Sequence, residues 1–173
     1  MPLLRVQAFV NTRDLEEKTD LLSEPVGARE WMIEAGLLAP GAEMTASDLE
    51  LARAVRESLR SLIELDGAED GSGGLEVLRA LAAEHRARLK VGGDGKVSLE
   101  NAQAEDLGDA LFGLLLIVHG AQQDESWSRL KICANDECRW AFYDRSRNRQ
   151  GSWCSMASCG NRLKNRELRA RRR

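Results

Sequence analysis

The amino-acid sequence predicts an α+β protein with a mostly helical N-terminal domain, residues 1–128, and a C-terminal module that ends in a helix, residues 129–173. Three observations lead to this prediction. Several stretches of the first part repeat apolar residues every three or four positions, as amphipathic helices do. Other short stretches alternate apolar and polar residues, which is typical of strands in a small antiparallel sheet. All four cysteines lie in the second part.

One strand and one helix are predicted at the start of the chain. Apolar residues alternate at Leu4, Val6, Ala8 and Val10. This alternation predicts a strand, which ends in the polar turn 11–14. Pro25 suits the first position of a helix, and Gly36 is a suitable residue to end it.

A longer helix follows, and Ser47 with Glu50 three residues later offers its capping box. Apolar residues then recur at helical spacing up to Ile63. The other side alternates acids and bases, and such a side is predicted to face solvent. Its residues are Glu50, Arg53, Arg56, Glu57, Arg60 and Glu64.

The rest of the N-terminal domain contains a glycine-rich acidic linker at 67–74, a helix at 75–86 and a hairpin at 88–100. The hairpin and the first strand are expected to form the small antiparallel sheet. The most apolar helix, 105–123, should lie at the centre of the core. His85 is predicted at the surface, and His119 is predicted either in the core or at the wall of a pocket.

The overall composition, 43% hydrophobic and 31% charged, is that of an ordinary globular protein. No charged segment followed by an apolar one opens the chain, and the longest apolar run, 111–118, is too short to span a membrane. We therefore expect a cytoplasmic protein without a membrane partner. The sequence contains no phosphate-binding glycine loop and no nucleophile motif. We therefore expect no enzymatic activity.

The cysteines have the spacing of a metal site: Cys133-x4-Cys138, fifteen residues, then Cys154-x4-Cys159. Each short pair can bind a metal ion from one tight turn, and the intervening loop returns the second pair to the first. In a reducing compartment, four cysteines paired in this way favour a metal over disulfides. Zinc is the expected metal, because a closed site of four thiolates is typical of structural zinc.

The charge is divided sharply between the two parts. Residues 129–173 have a net charge of +9, whereas residues 1–128 have a net charge of −12. A basic module on an acidic body suggests a polyanionic partner for the module, although the two parts can also neutralise each other within the fold.

The basic residues of the module occur in a loop and in a predicted terminal helix. In that helix, residues 162, 166, 169 and 173 recur on one stripe. Such side chains can contact phosphates or guanine edges, and they can equally contact an acidic protein. The candidate nucleic-acid-binding residues are Arg145, Arg147, Arg149, Arg162, Lys164, Arg166 and Arg169.

Three stretches of the module, 131–138, 140–148 and 153–162, together resemble the CGNR zinc finger family, whose signature here is Cys159-Gly160-Asn161-Arg162. The resemblance implies that the four cysteines are zinc ligands and that the module binds DNA. The chain departs from the family at Arg139, where glycine is common. Phe9-Val10-Asn11-Thr12, residues 31–38 and the long helix are similar to the ABATE domain, which is proposed as part of a stress-induced transcription regulator.

These observations favour a zinc-dependent, DNA-binding transcription regulator. Because a DNA-binding module with one zinc ion usually needs a second copy for specificity, we expect a homodimer. The N-terminal domain would then sense a small-molecule effector or form the dimer. The alternatives are a protein-interaction module that docks its basic helix on an acidic partner, a small-molecule sensor or enzyme in the N-terminal domain, and a redox switch at the cysteines.

Overall fold

The structure is a computed structural model, and it describes residues 1–65, 74–102, 106–162, 164 and 166. Five α-helices and three two-stranded antiparallel ribbons occur in these ranges. The helices are α1 (Leu3–Val10), α2 (Pro25–Glu34), α3 (Ala46–Glu64), α4 (Glu76–Glu84) and α5 (Leu107–Gln123). The ribbons pair β1 (Arg13–Asp14) with β2 (Thr19–Asp20), β3 (Ala87–Val91) with β4 (Val97–Asn101), and β5 (Leu130–Ile132) with β6 (Ala141–Tyr143). The predicted α+β class is confirmed.

Helix α5 lies at the centre of the core, as its apolar sequence predicts. It packs against α1, α3, α4 and β4. Leu111 is fully buried and Leu114 is almost fully buried in this core. A 3-10 turn, Trp127–Arg129, connects α5 to β5. The core therefore extends without a break into the C-terminal module, where it includes Leu130 of β5 and Ala141 of β6.

The predicted first strand is wrong, because residues 3–10 form helix α1. The stretch is short and apolar on both sides, so its sequence fits the helical period as well as the strand period. Burial follows the helical period: Leu3, Val6 and Phe9 face the core, whereas Leu4 is 41% exposed. The β3–β4 hairpin is confirmed, but it stands as a two-stranded ribbon and does not pair with this segment.

Helix α3 begins two residues earlier than the predicted capping box indicates. The capping box is formed by Thr45 and Asp48, not by Ser47 and Glu50. Thr45 Oγ1 accepts from the Asp48 backbone at 3.2 Å, and the Asp48 carboxylate accepts from the Thr45 backbone at 2.8 Å. Ser47/Glu50 and Thr45/Asp48 both have the required three-residue spacing. The structure uses Thr45/Asp48, because Thr45 is the residue with extended backbone that precedes the helix.

Two arginines on the supposed solvent side of α3 are buried. Arg56 is 2% exposed and Arg60 is 3% exposed. Arg56 donates to Asp20 at 2.6 Å and to Thr12 at 3.2 Å. The prediction was wrong because the segment 11–23 and the C-terminal module cover this face of α3, which the periodicity of α3 alone does not show.

The two histidines are also placed differently. His85 is only 15% exposed in its side chain, bonds to Asp109 at 2.9 Å and stacks on Phe112. His119 is exposed near the end of α5. Both differ from their predicted positions, since α5 turns its Asp109–Phe112 face, and not its His119 face, toward the core. Only Gly74 of the predicted linker lies within the described residues.

Candidate metal centre and basic surface

Two tight turns position the four cysteines. Cys133 follows β5 and donates its backbone N–H to Trp140 across the β5–β6 ribbon at 2.9 Å. Cys138 closes a turn by donating to the Asn135 carbonyl at 2.8 Å. The chain then passes through β6 and returns as Ala134 bonds to the Ser152 carbonyl at 2.9 Å. That return places Cys154 beside the first pair.

The second pair is completed by a π-helical turn, Met156–Gly160. Ser155 caps this turn, and Gly160 donates its N–H to the Ser155 carbonyl at 3.1 Å. Residues 161, 162, 164 and 166 continue as helix, as predicted for the end of the module. The turn brings Cys159 back to Cys154.

All four sulfur atoms lie within 4.8 Å of one another. Cys138 Sγ and Cys159 Sγ each lie 3.7 Å from Cys154 Sγ, and all four cysteines are free thiols. A tetrahedral zinc ion with Zn–S distances of about 2.3 Å has sulfur–sulfur edges of about 3.8 Å. The separations and the thiol chemistry of these residues therefore fit one zinc ion, which would hold the two turns together.

The thiols do not ionise equally. Burial raises the pKa of Cys138 and of Cys154 above the usual value of a thiol. At Cys159 burial opposes ionisation, but the hydrogen bond from Asn135 and the adjacent thiols lower its pKa. Burial thus opposes ionisation of Cys138 and Cys154, and several thiolates at this distance repel one another unless a cation neutralises them.

Asn135 is a ligand-orienting residue that the sequence analysis did not single out. It is 2% exposed, and its amide Nδ2 lies 3.6 Å from Cys159 Sγ. Its carbonyl accepts from both Cys138 and Arg139. Asn135 therefore connects the two turns, as groups around metal ligands commonly do. In the sequence, its position between Cys133 and Cys138 is the feature that could have indicated this role.

Gly160 of the CGNR signature lies against the Met156 and Trp153 side chains. A Cβ on Gly160 would lie 2.5 Å from Met156 Sδ and 3.4 Å from Trp153. Asn161 donates to the Ala157 carbonyl at 3.3 Å and so supports the same turn. The backbone also explains why glycine is common at position 139, since Arg139 has φ of 49°, in the left-handed region that favours glycine.

Arg139 is held in that conformation by the N-terminal domain. Its carbonyl accepts from the buried Arg60 at 2.6 Å, and its guanidinium pairs with Glu64 at 2.6 Å. Arg60 also donates to the Val10 carbonyl at 2.7 Å. One buried arginine thus joins α1, α3 and the cysteine turn.

Asp144 organises the basic loop. It is 4% exposed and accepts from the backbone of Ser146 at 2.9 Å, from the backbone of Gly151 at 2.7 Å and from Lys131 at 3.0 Å. Burial disfavours its charge, but these donors outweigh that effect and hold the pKa of Asp144 well below its usual range. The two ends of the loop are therefore fixed by one carboxylate.

The loop presents its arginines to solvent. Arg145, Arg147 and Arg149 are all exposed. Arg149 donates to Ser128 Oγ at 3.2 Å. Among the described residues, the guanidinium groups of Arg145 and Arg147 make no hydrogen bond or ion pair, so both are available to a partner.

The predicted helical stripe is only partly described. Arg162 pairs with Glu16 of the N-terminal domain, and Arg166 lies 4.0 Å from Glu137. Lys164 is exposed. Arg169 and residue 173 lie outside the described residues. The three loop arginines are therefore exposed on one loop, whereas two stripe arginines already have carboxylate neighbours.

Comparison with protein families assigns both parts. The family CGNR zinc finger matches residues 129–172. The family ABATE, described as "Putative stress-induced transcription regulator", matches residues 5–123, more than half of the chain. The chain belongs to the ABATE family. Its CGNR finger follows, and both resemblances seen in the sequence are confirmed. No curated protein gives a significant match.

The division between residues 128 and 129 stays a prediction. The two matches end at 123 and begin at 129, and the ABATE domain and the CGNR finger share one hydrophobic core across this boundary. Within the described ranges, no helix has the length and apolar character needed to cross a bilayer.

A second group of close potential ligands, His85, Asp106 and Asp109, lies at the start of α5 in the ABATE domain. There Asp106 caps α5 by accepting from Asp109, and Asp109 bonds to His85.

Proposed function

We propose that the chain is a zinc-dependent transcription regulator whose CGNR finger binds DNA. The observation that carries this proposal is the pair of exposed guanidinium groups, Arg145 and Arg147, which have no partner in the described part of the chain and stand on a loop fixed by Asp144. Arginines presented from a rigid loop suit phosphate oxygens, which position a protein on DNA. In this proposal zinc has a structural role, and the protein binds without catalysing a reaction.

The loop and the helix have different parts in the proposal. The loop residues Arg145, Arg147 and Arg149 supply phosphate contacts. Arg162, Lys164, Arg166 and Arg169 extend the surface, but Arg162 must leave Glu16 before it can contact DNA. We therefore assign the larger share of the binding energy to the loop. The homodimer and a cytoplasmic location remain parts of the proposal.

The test is duplex binding by fluorescence anisotropy at several salt concentrations. The logarithm of the affinity should fall with the logarithm of salt by about 0.9 for each phosphate contacted. The double variant Arg145→Ala/Arg147→Ala should lower that slope by about 2 and keep its zinc. The matched control, Arg79→Ala/Arg86→Ala on and after α4, removes the same charge and should change the slope little. Equal effects of the two pairs would refute the loop assignment.

A second candidate is supported by the pairing of finger arginines with carboxylates. Arg139 pairs with Glu64 and Arg162 pairs with Glu16, which supports a finger whose arginines accept acidic protein groups. In this alternative the basic helix docks on an acidic protein partner. Binding of an acidic partner that survives nuclease treatment, with no duplex binding at low salt, would select it.

A further inference from the structure

Two neighbouring cavities lie beside α5 in the ABATE domain. The larger, about 480 Å³, lies between the start of α1, β4 and α5, and the smaller, about 340 Å³, lies between α5 and the end of α2. Four residues line both: Arg5, Asn101, Gly113 and Ile117. The cavities are therefore adjacent, and each has a volume in the range of small-molecule sites.

Glycines of α5 keep this space open. Gly113, Leu116, Ile117 and Gly120 follow the i, i+3, i+4, i+7 spacing, so they share one face of the helix. A Cβ added at Gly113 or Gly120 would meet no atom within 4 Å. Glycine weakens a helix interior, and close packing is its usual reason there. Here neither glycine has such a neighbour, and a side chain at either position would project into empty space.

The walls are mostly apolar, and one positive side chain lines both cavities. Leu3, Leu116 and Ile117 line the larger cavity, and Leu37, Leu38 and Leu114 line the smaller one. Arg5 extends over the end of α2, with Nη2 3.5 Å from the position that a Cβ of Gly36 would take. Within the described residues its guanidinium makes no hydrogen bond and no ion pair.

The carboxylates around the cavities already have donors. Glu100 pairs with Arg88 and Lys90, and Asp124 accepts from Ser126. Asp106 accepts from the Asp109 backbone, and Asp109 bonds to His85. Within the described residues the Arg5 guanidinium therefore has unused hydrogen-bonding capacity. Met1, which carries the α-ammonium group, also lines the larger cavity, but only the planar fork of Arg5 matches both oxygens of a carboxylate.

We propose that this double cavity binds a small organic acid with an apolar body, its carboxylate on Arg5 and its apolar part along the Gly113–Gly120 face of α5. An apolar chain fills the space that the glycines leave, and the acid supplies the acceptors that Arg5 lacks among the described residues. The site is separate from the finger and its test uses no DNA, so it does not depend on the proposed DNA binding.

The test uses decanoate and 1-decanol as probes, which share the apolar chain and differ in the head group. Each probe is titrated into the full zinc-loaded chain with a fluorescent anion, anilinonaphthalene sulfonate, already bound. The fall in dye fluorescence measures displacement. Decanoate should displace the dye at a concentration at least tenfold below that of decanol. Arg5→Met should remove this preference, and Arg86→Met, the control, should keep it. No displacement by decanoate, or equal displacement by both probes, would overturn the proposal.

Filling the cavity gives an independent readout. Gly113→Leu should weaken decanoate binding at least tenfold with no fall in the thermal midpoint, since leucine favours helix more than glycine does. Gly27→Leu in α2, where a Cβ also meets no atom within 4 Å, is the matched control and should bind as the wild type does. If Gly113→Leu folds poorly, Gly120→Leu replaces it. Unchanged binding in a folded cavity variant overturns the assignment.

Discussion

Asn11 and Ala141 are joined by two reciprocal hydrogen bonds. Asn11 Nδ2 donates to the Ala141 carbonyl, and the Ala141 N–H donates to Asn11 Oδ1, each at 2.8 Å. Asn11 is the residue that ends α1, and Ala141 begins β6 of the finger. One amide side chain thus pairs like a short strand with the open edge of the β5–β6 ribbon and attaches the finger to the ABATE domain.

Removing this amide should loosen the finger. Asn11→Ala leaves the N–H and carbonyl of the buried Ala141 without partners, and we expect a loss of about 2 kcal/mol of unfolding free energy. Urea denaturation measures it. Asn11→Asp keeps an acceptor but loses the donor, so its unfolding free energy should lie between those of the wild type and Asn11→Ala. A loss below about 0.5 kcal/mol for Asn11→Ala would show that the bridge contributes little.

Replacing the buried arginine of α3 should cost more. Arg60→Met leaves the carbonyls of Val10 and Arg139 without their donor, and we expect a loss of about 3 kcal/mol. Arg60→Lys should not restore the wild-type value, because one ammonium group cannot reproduce the fork that reaches both carbonyls. Arg53→Met, also on α3 but half-buried, serves as the comparison. Full rescue by lysine would mean that charge alone matters.

The charge of Asp144 should make the loop sensitive to acid. Since its folded pKa is depressed, its stabilisation is present above the unfolded pKa of about 3.9 and is lost as pH falls toward the folded pKa. Asp144→Asn should therefore cost about 2 kcal/mol at pH 7, and the difference from wild type should shrink below about pH 4. Denaturation at a series of pH values measures this. A constant difference across that series would contradict the assignment.

The cysteine cluster should bind one zinc ion per chain and release protons as it does so. Because the pKa values of Cys138 and Cys154 are raised, these thiols are protonated at neutral pH and must ionise to bind the ion. Zinc affinity should accordingly rise with pH between 6 and 8, and Cys154→Ser should lower zinc content strongly. Metal analysis and calorimetry in two buffers test both expectations. Proton uptake on binding would have the wrong sign.

Asn135 provides a further check on the metal site. Asn135→Ala removes the donor to Cys159 while leaving all four sulfurs, so zinc affinity should fall about tenfold or more with the zinc-bound fold retained. Asn148→Ala, in the exposed loop, is the control and should leave the affinity unchanged. Competition with a zinc chelator gives the two affinities. Similar values for both variants would remove Asn135 from the zinc environment.

The elements that the sequence predicted best are those whose signals are local. Pro25 starts α2 and Gly36, with φ of 68°, follows its end, as their backbone preferences require. The β3–β4 hairpin and α5 were predicted because their turn residues and apolar spacing point to the same structure. The α1 segment gives no such agreement. Its eight apolar-rich residues fit both the helical period and the strand period, and only packing against α3 and α5 selects the helix.

The sequence by itself determined the family, the cysteine spacing and the charge division, because each is a property of residues near one another in the chain. Only the tertiary structure decided that Arg56 and Arg60 are buried, that Asn11 holds the finger and that Arg5 stands between two cavities. These relationships join residues up to 130 positions apart. Their energies depend on which elements pack against each other in the fold, and the residue pattern of a single helix or strand does not identify the element that packs against it.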